Sequence, residues 1–134
     1  MPHPWFGLAA VVAAGIACSD NSPGTTGPLP ECTGAVTVAV SSGTTPTFTW
    51  APSYRLFFVL VEPAQSGADL WSVGSDGTNA IRPPVIYGTV PNGARELQSV
   101  TPLVTGATYD VYVYRWTGPG TQDGVLAGSK AFTQ

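Results

Sequence analysis

From Ala35 onward, short runs of Val, Thr, Ile, Phe and Tyr alternate with polar residues, and Gly, Pro, Asn or Asp interrupts the pattern every few positions. A two-residue period places successive side chains on opposite faces of an extended chain, so the pattern predicts strands with one buried face. Strands are expected over 35–41, 46–51, 54–62, 68–73, 94–100, 108–116 and 125–133, seven in all. Between the fourth and fifth of these, residues 79–93 carry three prolines and two glycines. Proline cannot donate to a central ladder, so this stretch is expected to be an irregular crossing or a short edge strand. The whole reads as an all-β, antiparallel β-sandwich over residues 34–134.

Upstream the pattern changes. Trp5 to Ala17 is an uninterrupted apolar run of thirteen residues, followed by Cys18, Ser19 and Asp20. As a helix it would rise about 20 Å, short against a hydrocarbon core of roughly 30 Å. Such a run, rich in small residues and ending in one, has the form of a signal-peptide core. The ending Gly15-Ile16-Ala17-Cys18 resembles the lipobox of bacterial lipoproteins, with Gly15 where that family usually carries Leu and no Lys or Arg before the run. The resemblance implies acylation of Cys18, which would then become the N-terminus. Ordinary cleavage and an uncleaved helical anchor are the alternatives. All three put the remainder outside the cytoplasm, tethered on the periplasmic or extracellular side of a bacterial cell. Residues 1–18 are therefore expected to be signal or anchor and 19–33 a flexible linker, since SDNSPGTTGPLP has almost no apolar content. If Cys18 is acylated, Cys32 is an unpaired thiol; otherwise the two are close enough in sequence to form a disulfide in an oxidising compartment.

Two stretches within the strand series carry a second resemblance. Leu103-Val104-Thr105-Gly106-Ala107-Thr108-Tyr109-Asp110-Val111-Tyr112-Val113 is similar to the L-x-P-G-T-x-Y-x-V-x-V stretch of fibronectin type III domains, with Thr105 and Ala107 as departures. Thr47-Phe48-Thr49-Trp50-Ala51-Pro52 resembles the second strand of that family. The resemblance implies a fibronectin type III or immunoglobulin-like sandwich in which Trp50 is core and Tyr109 makes a tyrosine corner, its hydroxyl bonding back to the upstream backbone.

With Tyr109, Val111 and Val113 inward, period 2 turns Asp110, Tyr112, Tyr114 and Trp116 outward. Residues 55–61, RLFFVLV, are apolar on both faces. In a sandwich of this type that third strand neighbours the sixth, so either Leu56, Phe58 and Leu60 or Phe57, Val59 and Val61 would adjoin Tyr112 and Tyr114. One sheet face is thus expected to be a contiguous apolar and aromatic patch. Such a patch is either covered by residues 79–93, with Ile81, Val85, Ile86 and Tyr87 folding over it, or marks a docking surface. Trp71 and Tyr87 join Tyr112, Tyr114 and Trp116 as candidate partner-binding residues.

Charge narrows the function. Five Lys plus Arg stand against eight Asp plus Glu, a net charge of −3, which leaves little to grip a phosphate backbone, so nucleic acid is not an expected partner. His3 is the only histidine and Cys18 and Cys32 the only cysteines. No metal or cofactor site and no catalytic pair is therefore expected, and the acidic residues are scattered without paired spacing. Asp76-Gly77, Asn92-Gly93 and Gly118-Pro119-Gly120-Thr121 read as turns. The expected role is a non-enzymatic accessory or scaffold subunit docked on a larger membrane complex, respiratory or photosynthetic if the anchor is retained. The alternative is a surface lipoprotein acting in adhesion or carbohydrate binding, with Trp71 and Trp116 stacking on a saccharide beside Asp69 or Asp123.

Overall fold

The computed structural model describes residues 34–65, 67–117 and 124–134. Within them run β1 (Thr37–Val40), β2 (Thr47–Ala51), β3 (Phe58–Pro63), β4 (Trp71–Gly74), β5 (Val85–Ile86), β6 (Arg95–Gln98), β7 (Thr108–Trp116) and β8 (Gly124–Thr133). Every pairing is antiparallel. The strands form a three-stranded sheet, β1-β2-β5, and a five-stranded sheet, β6-β4-β3-β7-β8. No helix occurs among the described residues. This architecture is compatible with a β-sandwich. The apolar run 5–17, its proposed helix and the linker 19–33 lie outside the described residues, as do Cys18 and Cys32.

Alternation within each strand makes the core. β2 buries Phe48 and Trp50 while the threonines between and before them point away, and β7 buries Tyr109, Val111 and Val113. Val59 and Val61 of β3 and Trp71 and Val73 of β4 are likewise fully buried. Together with Val38 and Val85 from the other sheet they form one hydrophobic cluster, so the two sheets share a single core. Trp50 donates its indole N–H to the Tyr54 carbonyl at 2.8 Å, which satisfies its polar edge inside that core.

The strand count and the start of the third strand differ from expectation. The third strand begins at Phe58 and not at residue 54, because the chain before it bridges to Ile81 outside both sheets. Leu56 exchanges backbone hydrogen bonds with Ile81 at 2.9 and 2.8 Å, whereas the Phe57 N–H donates to the Tyr114 carbonyl at 3.0 Å. An apolar run read as one straight strand is thus a crossing followed by a strand. The eighth strand is β5, inside the Pro-rich segment 79–93. It pairs with β2 at the edge of the three-stranded sheet, where few ladder donors are needed. Ile81, Val85 and Tyr87 point into the core from there. The segment therefore does not fold over the outer face of the five-stranded sheet, the covering role weighed for it above.

Two close approaches fix the sheet edges. The Val36 N–H donates to the Ala127 carbonyl at 2.9 Å, which brings the start of β1 against β8. A Cβ on Gly128 would lie 2.6 Å from the Val36 carbonyl oxygen, so only glycine lets these backbones approach so closely. Gly77 and Gly93, in the two expected turn dipeptides, have φ of 60° and 82°, a left-handed region open to glycine.

Candidate functional site

β3 and β7 are neighbours in the five-stranded sheet, and their register sets what each face shows. Val59 lies opposite Val113 and Val61 opposite Val111, all fully buried. The interleaved pairs are Phe58 with Tyr114, Leu60 with Tyr112 and Glu62 with Asp110, all half-buried on the outer face. Of the two outward sets left open by the sequence, the pair Phe58 and Leu60 is the one beside the tyrosines. Leu56 does not join them, because it turns into the core at its bridge with Ile81. The Phe58 and Tyr114 rings are tilted at 5.6 Å between centroids, and Phe57 lies 6.0 Å from Phe58.

The patch extends across the sheet. A register shift between Val113 and Tyr114 brings Leu126 opposite Tyr114 and Gly124 opposite Trp116. Leu126 is 49% exposed. On the other flank, Gly74 lies opposite Phe58, and a Cβ there would meet the Leu97 side chain at 3.0 Å and the Phe58 ring at 3.3 Å. The missing side chain lets Leu97 of β6, also 49% exposed, close toward Phe58. An apolar surface thus runs from Leu97 through Phe58 and Tyr114 to Leu126.

Trp116 closes the row at the end of β7. Its backbone N–H donates to Asn79 Oδ1 at 2.8 Å, and Asn79 Nδ2 donates to the Trp116 carbonyl at 2.9 Å. The amide thereby stands in for a neighbouring strand and fixes the position of the ring. Asn79 was not singled out by sequence; it lies 37 residues upstream, beyond the reach of any local pattern.

The two ends of the face differ in charge. Glu62 and Asp110 are directly opposite one another. Burial, then the Asp110 and Glu62 carboxylates, push the Tyr112 pKa upward. Tyr114 is also raised, first by burial and then by Glu62 and Asp69. Three carboxylates therefore act on two tyrosine hydroxyls at one end. Past Gly74 at the other end, Arg95 pairs with Asp76 at 3.0 Å in the open solvent.

Two candidate partner-binding residues are in the core instead. Trp71 is fully buried, donates its indole N–H to Glu96 Oε2 at 2.9 Å, and packs edge-on to Tyr87 at 5.4 Å. Tyr87 is 5% exposed and its hydroxyl donates to the Thr101 carbonyl. Burial pushes the Tyr87 pKa up to about 12, with Tyr109 adding to the shift and the Thr101 hydrogen bond opposing it. Trp71 takes the inward phase of β4, opposite Val61, and Tyr87 follows β5, which joins the three-stranded sheet. Tyr109 is buried; its hydroxyl accepts the Val104 N–H at 2.7 Å. Asp123 and the 118–121 turn lie outside the described residues.

Among the described residues, no group of three or more His, Cys, Asp or Glu is gathered to hold a metal ion, and no helix is long and apolar enough to cross a membrane. No family model, curated protein or solved structure matches this chain.

Proposed function

We propose that the chain is a non-enzymatic accessory or scaffold subunit, tethered to a membrane outside the cytoplasm through residues 1–18 or a lipid on Cys18, and that it docks a protein partner on the outer face of the five-stranded sheet. The observation that carries this reading is the continuity of Leu97, Phe58, Tyr114 and Leu126 across that face, bordered by Tyr112 and Trp116. Single exposed apolar residues are ordinary on a soluble surface, but a contiguous aromatic patch is what interfaces use. We further read the domain as fibronectin type III or immunoglobulin-like. The buried Trp50 and the hydrogen bond from Val104 to the Tyr109 hydroxyl support that reading.

The test is recovery of the full chain from detergent-solubilised membranes. Stoichiometric co-purification with one complex, lost in the folded variant Tyr112→Ser/Trp116→Ser, is the expected result. Retention on polysaccharide with no protein partner overturns it in favour of a carbohydrate-binding lipoprotein. That alternative has lost one of its two stacking rings, since Trp71 is fully buried.

A further inference from the structure

The docking face is not uniformly apolar, and its asymmetry specifies the chemistry of what covers it. Glu62 and Asp110 are cross-strand neighbours on the same face, where directly opposed like charges destabilise a sheet. Both are half-buried and form the next pair on this face after Leu60 and Tyr112, so they stand at the border of the aromatic row and not out in bulk solvent. A neutral partner lowered onto the face would strip water from two carboxylates and leave them uncompensated, a costly arrangement. A cation offsets that loss, and the adjacent tyrosine ring gives its stem an apolar and quadrupolar surface. The cation of the opposite end, Arg95, is already joined to Asp76, so the face has an anionic end and a neutralised one. The chain as a whole carries a net charge of −3.

We infer that the partner segment covering this face is a protein segment with apolar side chains followed by a lysine or arginine, and that its cation lies against Glu62 and Asp110 while its apolar residues cover Phe58 and Tyr114. The inference rests on the docking reading above. It also sets the direction in which the partner lies: the basic residue toward the end of β3, the apolar ones toward its start.

The test uses the full chain in detergent and two synthetic peptides, acetyl-Leu-Trp-Leu-Lys-Arg-amide and acetyl-Leu-Trp-Leu-Glu-Glu-amide, titrated at low salt and followed by backbone amide chemical shifts. Two partly exposed charge pairs make the basic peptide the tighter binder by about tenfold. That advantage disappears in Glu62→Gln/Asp110→Asn, a pair of near-isosteric neutral changes, and shrinks as salt is added. Equal binding of the two peptides, an advantage that survives in the neutralised variant, or no binding of the basic peptide overturns the inference. The docking reading is judged separately by Tyr112→Ser/Trp116→Ser in the co-purification experiment. If that variant loses the partner while the neutralised one keeps it, the face stands and the cationic partner falls. If both keep it, the face falls as well.

Discussion

Two aromatic groups in this protein look alike in sequence and end in opposite environments. Trp71 and Tyr87 pack edge-on inside the core with every polar edge answered, by Glu96 and by the Thr101 carbonyl. Tyr112, Tyr114 and Trp116 lie half-buried in a row on the outside of the five-stranded sheet, with Phe58 and Leu60 on one flank and Leu126 on the other. The difference teaches that what decides the fate of a ring here is its phase within the strand and the pairing of that strand, and not its own chemistry. β3 is central and its neighbours on both sides supply a flat outer face; the 79–93 segment joins the other sheet and points inward.

The sharpest way to break this comparison is to remove a ring from each group. Trp71→Ala should cost about 3–5 kcal/mol, with the Glu96 partner bond lost in addition. Trp116→Ala should cost well under half as much, because part of its area is already wet. Denaturant titration of both variants checks the contrast, and similar losses would make the outer row part of the core. Alkaline titration gives a second, somewhat smaller effect. The Tyr87 hydroxyl titrates near 10 when unfolded but at about 12 when folded, so the native state holds a proton that the unfolded state releases. Stability is therefore intact below pH ~10 and falls as pH rises toward 12, by on the order of 2–3 kcal/mol for a two-unit shift. Tyr87→Phe should flatten that part of the stability curve.

Backbone proximity offers a third break point. Gly128→Ala puts a methyl 2.6 Å from the Val36 carbonyl and should cost about 1–3 kcal/mol by forcing β1 away from β8. The same change at Gly34, where nothing lies within 4 Å of the added carbon, should have almost no effect by the same measurement. The smallest expected effect has the opposite sign. Neutralising one of the facing carboxylates, Glu62→Gln, should leave the free domain unchanged or more stable by a few tenths of a kcal/mol, since a like-charge pair across the ladder is relieved. Thermal melts at low and high salt read it out, and the gain should shrink with added salt.

Much of the fold was legible because β-strand burial has a period of two. Val111, Val113 and Tyr109 inward with Tyr112, Tyr114 and Trp116 outward follow from period two combined with the fibronectin resemblance, which also makes the third strand a neighbour of this one. What was not legible depends on long-range partners. Residues 56–61 are apolar throughout, so no period marks where the isolated bridge at Leu56 gives way to the β3 ladder. Ile81, Val85 and Tyr87 alternate as any strand would, and only the bridge from Ile81 to Leu56 and the pairing of β5 with β2 determine that they fill the core. On the candidate site, the tyrosines and Trp116 were found by alternation, while Leu97 was lost in a charged tetrapeptide and Asn79 in a loop.

The reciprocal bonds between Asn79 and the Trp116 backbone carry a further consequence. A carboxamide offers a donor and an acceptor side by side, as a peptide group does, and among amino acids of that reach only asparagine supplies both. Aspartate at this position would have nothing to give the Trp116 carbonyl, and the last rung of the long hairpin would fray from its tip. A single-atom change in a distant loop would then blur the orientation of a ring it never touches.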